Sequence, residues 1–341
     1  MRALVWDAPR VMTLREQEQP APAPKEVLIH VAFAGICGSE LGAFLGHNAL
    51  RVPPLVMGHE FAGTVAALGA EAVACNPALR TGLPVTVNPL SSCDACPACL
   101  RGDGHLCPKR RLIGAHRPGA YAEYVCVPAE SVLPLPPGLT PREGALAEPV
   151  AVAVRIGALA GPLAGEPAFI AGAGPIGLLA LQVLRLLGAG PIFVSDLEPT
   201  RLAMAEELGG HPIDARHNDP AQVVRDATGG LGATASVDAV GAAPTRAACI
   251  AATRSAGTLI LSGLHEEVGP IPAAEVIRRE LVLRGSFAYS PADFRHAVAL
   301  LARSAVRLDP WVVEAALAEG GPWFERLAHA PGGVAKVLLV P

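Results

Sequence analysis

Residues 167–196 read PAFIAGAGPIGLLALQVLRLLGAGPIFVSD. An apolar run, Ala168 to Ala171, enters a glycine turn; a helical run leaves it, and a second apolar run, Ile192 to Ser195, ends on Asp196. Gly172, Gly174 and Gly177 permit a tight turn, close approach of the backbone to a pyrophosphate, and close helix-to-strand packing. Pro175 and Ile176 open the helix, whose N-terminus supplies N–H donors and the positive end of its dipole. Asp196 follows Gly177 by 19 residues, near the roughly 20 at which an acidic side chain meets an adenosine ribose. A carboxylate there accepts from both ribose hydroxyls and repels a 2′-phosphate, so NAD is expected over NADP. Arg201, five residues on, is a candidate phosphate partner, although a solvated helix arginine is the better reading. The alternative to the whole motif is a glycine-rich turn in a core with no ligand.

Working outward, the chain beyond about Gly144 alternates Ala- and Leu-rich helical periods, such as Pro175–Leu187 and Pro199–Leu208, with the apolar strands Ala235–Asp238, Thr258–Leu261 and Val282–Ser286. That is the pattern of βα units around a parallel sheet. Before about Pro141, short strands are separated by turn residues: Ala3–Trp6, Val27–Phe33, Phe61–Ala67, Pro84–Val87 and Tyr121–Val127. A distorted antiparallel β-barrel is expected there. The chain is α/β, and 341 residues suit two domains.

The mean hydropathy of +0.38 raises the question of a membrane span. The longest apolar stretch, residues 167–184, carries Gly172, Gly174, Pro175 and Gly177 in its first half, so a buried strand, turn and helix explain it better. Residues 1–10 lack a signal-peptide pattern, and a soluble cytoplasmic protein is expected. A net charge of -4 offers no basic stripe for nucleic acid; Lys109, Arg110 and Arg111 read as a solvated face.

Of eight cysteines, Cys93, Cys96, Cys99 and Cys107 crowd into one loop. Clustered cysteines in an intracellular chain indicate metal more often than disulfides, and four thiolates close a tetrahedral shell, as a structural zinc requires. An iron–sulfur cluster or unmetallated thiols are the alternatives. Cys75, Cys126 and Cys249 read as small buried side chains.

A dispersed set remains: Gly35-Ile-Cys37-Gly-Ser39-Glu40, Gly58-His59-Glu60 and Leu146-Ala-Glu148-Pro149. With the two motifs above, it resembles the zinc-dependent medium-chain dehydrogenase/reductase family over essentially the whole chain, most closely the polyol and threonine dehydrogenase branch. The resemblance implies a GroES-like catalytic domain over residues 1–149 with a structural-zinc lobe at about 91–112. It further implies a Rossmann NAD-binding domain over 150–286, and a return of 287–341 to the first domain, with the active site in the cleft between domains. It makes Cys37 and His59 firm ligands of a catalytic zinc, Glu148 the third or water-linked ligand, and Glu60 a carboxylate that binds zinc in some states. Such a shell leaves a position for an alcohol oxygen. Ser39 resembles the hydroxyl that takes the alcohol proton, and also reads as a helix N-cap.

The implied function is NAD-linked interconversion of a secondary alcohol (a polyol, sugar alcohol or amino alcohol) and a ketone, with two zinc ions per chain and a dimeric or tetrameric assembly in which Val282–Tyr289 lies near a contact. Glu40 and Gly42 depart from the family's aspartate and histidine. Glu40 is expected to orient His59; Gly42 relays no proton, leaving His47 as a candidate or as an exposed histidine. Asp238, Val240, Gly241, Ser262, Gly263, Ser286 and Phe287 are expected near the cofactor, and Phe44, Leu45 and His47 near the substrate pocket. The competing readings are a zinc-independent enone or quinone reductase, and a non-catalytic nucleotide-binding protein.

Overall fold

A computed structural model describes residues 1–47, 50–329 and 332–341. The chain forms two compact units. One comprises Met1–Glu148, Ser290–Ala305 and Asp309–Pro341; the other comprises Pro149–Tyr289 and Val306–Leu308.

In the first unit, the sheet runs Val132–Pro134, Pro84–Val87, Glu60–Leu68, Glu26–Gly35, Lys336–Val340, Val312–Ala316, and Tyr124–Pro128 also pairs with Glu26–Gly35. Alternating side chains of these strands meet on one core that includes Ile29, Val31, Phe61, Val65, Val85, Val337 and Leu339. Residues Glu26–Gly35 and Glu60–Leu68 are antiparallel with Gly35 opposite Glu60, and Leu338 pairs with Gly35 from the other side. Three strands therefore bring Gly35, Glu60 and the final strand to one place. A Cβ on Gly35 would stand 2.3 Å from Glu60 Oε2, so the missing side chain makes the room that the Glu60 carboxylate fills.

The second unit is a six-stranded, wholly parallel sheet in the order His211–Asp214, Ile192–Asp196, Ala168–Ala171, Ala233–Asp238, Thr253–Leu261, Val282–Gly285. All four residues of Ala168–Ala171 are buried, because helices cover both faces, which explains a continuous apolar run where a half-exposed strand would alternate. The order reverses between Ala168–Ala171 and Ala233–Asp238, the point at which doubly wound sheets open a crevice beyond their strand ends. This is a GroES-like unit plus a Rossmann unit, as the sequence predicts.

The expected strands all overlap observed ones, though some ends differ and several strands were not foreseen, among them Val11–Glu16, Val132–Pro134, Val312–Ala316 and Lys336–Val340. Tyr124–Pro128 begins three residues later than predicted, since Tyr121 bonds outward to Met57 and Leu4 through its main chain. His211–Asp214 is a strand that the pattern missed; Pro212 and two exposed positions hide it. No helix among the described residues is long and apolar enough to cross a membrane. The high hydropathy belongs to the two-sided burial of the parallel sheet.

Candidate functional site

The cysteine lobe is built from a loop and two short turns. Cys96 precedes the helix Pro97–Leu100, which carries Cys99, and Cys107 follows the turn Gly104–Leu106. The sulfurs are 3.5 Å apart for Cys96 and Cys99, 3.5 Å for Cys93 and Cys107, and 3.9 Å for Cys93 and Cys99. A tetrahedron with metal–sulfur bonds of about 2.3 Å has edges of about 3.8 Å, so the four side chains fit one zinc ion. The Ala95 main-chain N–H, with help from Cys107 and Cys96, holds the Cys93 thiol down at about 6, toward the thiolate that a metal binds.

The second cluster is Cys37, His59 and Glu60, whose donor atoms all lie within 4.8 Å of one another. Cys37 is the N-cap of the helix Gly38–Phe44, and Glu40 in its first turn accepts from the Cys37 N–H at 3.2 Å. The predicted N-cap at Ser39 is thus corrected: Ser39 is already helical, and the Glu40 carboxylate serves the free N–H. Ser39 is exposed, with its hydroxyl 3.5 Å from Cys37 Sγ. Gly58 sits at φ +102, where a Cβ would stand 2.8 Å from the Tyr121 N; glycine is required to turn the chain into His59.

Glu40 is fully buried and, besides the Cys37 N–H, serves three more partners. Its Oε1 accepts from His59 Nδ1 at 2.6 Å and from Gly58 N at 2.9 Å, while the Tyr121 hydroxyl lies against Oε2. The Nδ1 proton therefore belongs between His59 and Glu40, and Nε2 is left as the donor for a metal. Burial raises the Glu40 pKa, but His59, Arg51 and Tyr121 together outweigh it and hold the carboxyl at about 2. Burial and the Glu40 charge push the Tyr121 phenol well up, keeping it a donor. Glutamate thus reaches His59 despite its extra methylene.

Two buried cations were not foreseen. Lys336 donates to Glu60 at 2.7 and 2.9 Å and to the Ile36 carbonyl at 3.1 Å. Burial lowers its pKa, but Glu60 and Cys37 raise it further, so the ammonium persists. Arg51, its side chain wholly buried, donates to Gly114 O and to Ser39. A lone lysine opening the apolar run Lys336–Val340 was the available signal; Arg51 had none beyond its place before Val52-Pro53. Glu148 is buried in the first turn of Ala147–Ala160 and acts electrostatically on Lys336, though it stands outside the three-donor cluster.

The charges are informative. With Cys37 as the thiolate and His59 as the neutral imidazole that metal ligation requires, Cys37, Glu40, Glu60 and Glu148 are four anions against the two cations Arg51 and Lys336. The surplus of two negative charges suits a divalent ion held by sulfur, nitrogen and oxygen donors.

In the second unit, Gly172 has φ +100, and a Cβ on Gly177 would lie 1.8 Å from the Gly172 carbonyl oxygen. Gly174 caps the helix Pro175–Leu186, which Pro175 and Ile176 open; a Cβ on Gly174 would meet nothing within 4 Å, so the helix N-terminus faces open space that a phosphate could enter. Asp196 accepts from Ala173 N at 2.7 Å, Leu197 N at 2.7 Å and Glu198 N at 2.9 Å, fixing its carboxylate at the turn. Arg201 lies on Pro199–Glu207, partly exposed. Asp238 caps its own turn through Val240 N, Gly241 N and Thr245 Oγ1.

Gly177→Ala should be costly. Overpacking against a carbonyl costs about 1–3 kcal/mol, and relief requires opening the turn, so dinucleotide affinity measured by NADH fluorescence titration is expected to fall at least about tenfold.

Some expectations fail. Phe44, expected near the substrate pocket, is buried against Phe324 in the core, ring centroids 5.3 Å apart; His47 is exposed, one of the two readings given for it. Cys75 is exposed, not buried, at the end of the short helix Ala72–Cys75, whereas Cys126 and Cys249 are buried as predicted.

A cluster of thiol, imidazole and carboxylate donors in a GroES-like unit, in a chain whose other unit is a Rossmann sheet, is the combination of a nucleotide-dependent oxidoreductase. Comparison with known proteins agrees. Residues 23–137 match the alcohol dehydrogenase GroES-like domain and residues 175–303 the zinc-binding dehydrogenase domain. The chain is 31% identical to sorbitol dehydrogenase of Halalkalibacterium halodurans, covering 96% of this chain and 95% of that one. It is 34% identical to L-threonine 3-dehydrogenase of Symbiobacterium thermophilum over 80% of this chain and 78% of that one. A zinc-binding dehydrogenase of Sinorhizobium meliloti, solved with NADP, superimposes with a TM-score of 0.91 at 31% identity, covering 100% and 99% of the two chains. The protein belongs to the zinc-dependent medium-chain dehydrogenase/reductase family.

Proposed function

We propose that the protein interconverts a secondary alcohol (a polyol, sugar alcohol or amino alcohol) and a ketone, using NAD and two zinc ions per chain, one catalytic and one structural. The observation that carries this reading is the convergence of Cys37, His59 and Glu60 within 4.8 Å beside the exposed Ser39 hydroxyl. In it, Cys37, His59 and either Glu60 or Glu148 hold the catalytic ion, and Cys93, Cys96, Cys99 and Cys107 hold the structural one. A zinc ion held by these residues would supply a Lewis acid that lowers the pKa of the substrate hydroxyl toward neutral pH. Ser39 accepts the alcohol proton as its own hydroxyl proton passes to solvent, to which it is exposed, and Glu40 keeps His59 in the tautomer that ligates. The turn at Gly172, Gly174 and Gly177 binds the pyrophosphate through main-chain N–H groups, and Asp196 binds the adenosine ribose. Exposed Val282 and Phe287 along the edge strand Val282–Gly285 support assembly with a second copy, and the free thiols suit a cytoplasmic setting.

The test is a metal count combined with an NAD-linked screen over secondary alcohols, diols, polyols, inositols and threonine. Two zinc ions and turnover in one substrate group are expected; turnover by a zinc-free protein would overturn the reading. Asp196→Asn tests the cofactor. It keeps an acceptor for the turn and removes the charge, so the ratio of kcat/KM for NAD to that for NADP should drop at least about tenfold, some 1.4 kcal/mol.

A further inference from the structure

Arg51 is a buried cation of the cluster with no place in the proposed ligand set. Its nearest carboxylate oxygen, Glu40 Oε1, is 4.0 Å away. Its donors are spent elsewhere: Nε on the Gly114 carbonyl at 3.0 Å, Nη1 on the Ser39 carbonyl at 3.3 Å, and Nη2 on the Ser39 hydroxyl oxygen at 3.4 Å. Nη2 is also 3.4 Å from His59 Nδ1. At 2.6 Å the Glu40 contact claims that nitrogen's proton, so Nη2 and Nδ1 face each other as donors, and Arg51 touches His59 without bonding to it.

We propose, on the dehydrogenase reading above, that Arg51 is a positioning residue that locks Ser39 and the Glu40–His59 pair in their reactive arrangement. Guanidinium donates and never accepts. Contact with both the main chain and the hydroxyl of Ser39 fixes that residue's rotamer, and the hydroxyl hydrogen is directed away from Arg51, toward Cys37 Sγ 3.5 Å away. A proton received by Ser39 thus has no way inward through Arg51. The positive charge meanwhile opposes any outward swing of Glu40, and with it any rotation of His59. Lysine cannot replace this function, because its single nitrogen cannot reach acceptors that Nε, Nη1 and Nη2 of the guanidinium serve separately.

A cavity of about 420 Å³ is lined in part by Trp6, Pro9, His47 and Arg51, and truncating the buried Arg51 side chain leaves beside it a space sized for a small guanidinium cation supplied from solution. Arg51→Ala holoenzyme is expected to fold and keep two metals per chain, with a lowered melting temperature. Its kcat should fall about 10- to 100-fold, the usual cost of losing an outer partner of a metal site, while KM for the alcohol stays within about threefold. Methylguanidinium should restore kcat at least severalfold, and Arg51→Lys should remain impaired. In cobalt-substituted protein, the d–d bands of the Cys37–His59 site should shift in Arg51→Ala and return on adding methylguanidinium.

Wild-type kcat in either variant, or a loss that methylguanidinium leaves untouched in a folded protein, overturns the proposal. If Arg51→Ala does not fold, Arg51→Lys decides alone. If the unmodified protein oxidises no alcohol, the dehydrogenase reading fails; the cobalt bands still judge Arg51, and unchanged bands in Arg51→Ala refute its role.

Discussion

Cys37→Ser is expected to give a folded protein that binds one zinc per chain in place of two and oxidises alcohols about a thousandfold more slowly or worse. The substitution removes the sulfur of the three-donor cluster and leaves the Cys93, Cys96, Cys99 and Cys107 lobe intact. Lewis-acid stabilisation by a bound metal is worth several kcal/mol, and about 4 kcal/mol corresponds to a thousandfold in rate. Serine does not reproduce the site, since a hydroxyl at neutral pH is a neutral, hard donor where a soft anion stood. Metal analysis by mass spectrometry alongside kcat checks both parts. Full activity with one zinc missing would remove Cys37 from the mechanism.

Lys336→Met carries the largest expected loss of stability. Lys336 and Glu60 have side chains 3% and 1% exposed and are joined at 2.7 Å. Removing one partner of such a pair leaves an uncompensated buried charge, at a cost of about 3–5 kcal/mol. For a domain of this size, each kcal/mol lowers the melting temperature by about 2–4 °C, so a fall of about 10 °C is expected by calorimetry. The double variant Lys336→Met, Glu60→Gln should recover most of it, because no charge is then stranded. A single variant that melts like the parent would show that water or a neighbouring group already shields Glu60.

These two residues also show where sequence reading stops. Cys93, Cys96, Cys99 and Cys107, and the turn at Gly172, Gly174 and Gly177, are legible because each is a local device whose spacing states its geometry. The register of Ile192–Asp196 beside Ala168–Ala171 was legible too, since two apolar runs bracket one helix. Lys336 pairs with a residue 276 positions away, and Arg51 reaches Gly114 across 63. Nothing within either residue's own stretch announces such a partner. Tyr121 was read as a strand residue, and its hydroxyl on Glu40 follows only from the three-dimensional path. The orienting role of Glu40 was foreseeable because it lies three residues after Cys37, within one helical turn.

The placement of Lys336–Val340 between Glu26–Gly35 and Val312–Ala316 bears on the order of biosynthesis. While the ribosome has delivered only the segment up to Glu148, the second edge of Glu26–Gly35 is paired only along Glu26–His30, by Tyr124–Pro128; its end at Ala34 and Gly35 still waits for the final strand, and the Glu60 carboxylate has no lysine. The whole parallel-sheet unit must emerge before either is satisfied. Domains commonly finish folding in the order of their synthesis; here the first to appear is the last to close, and it waits through that interval with an open strand edge, the feature most prone to pairing with another chain.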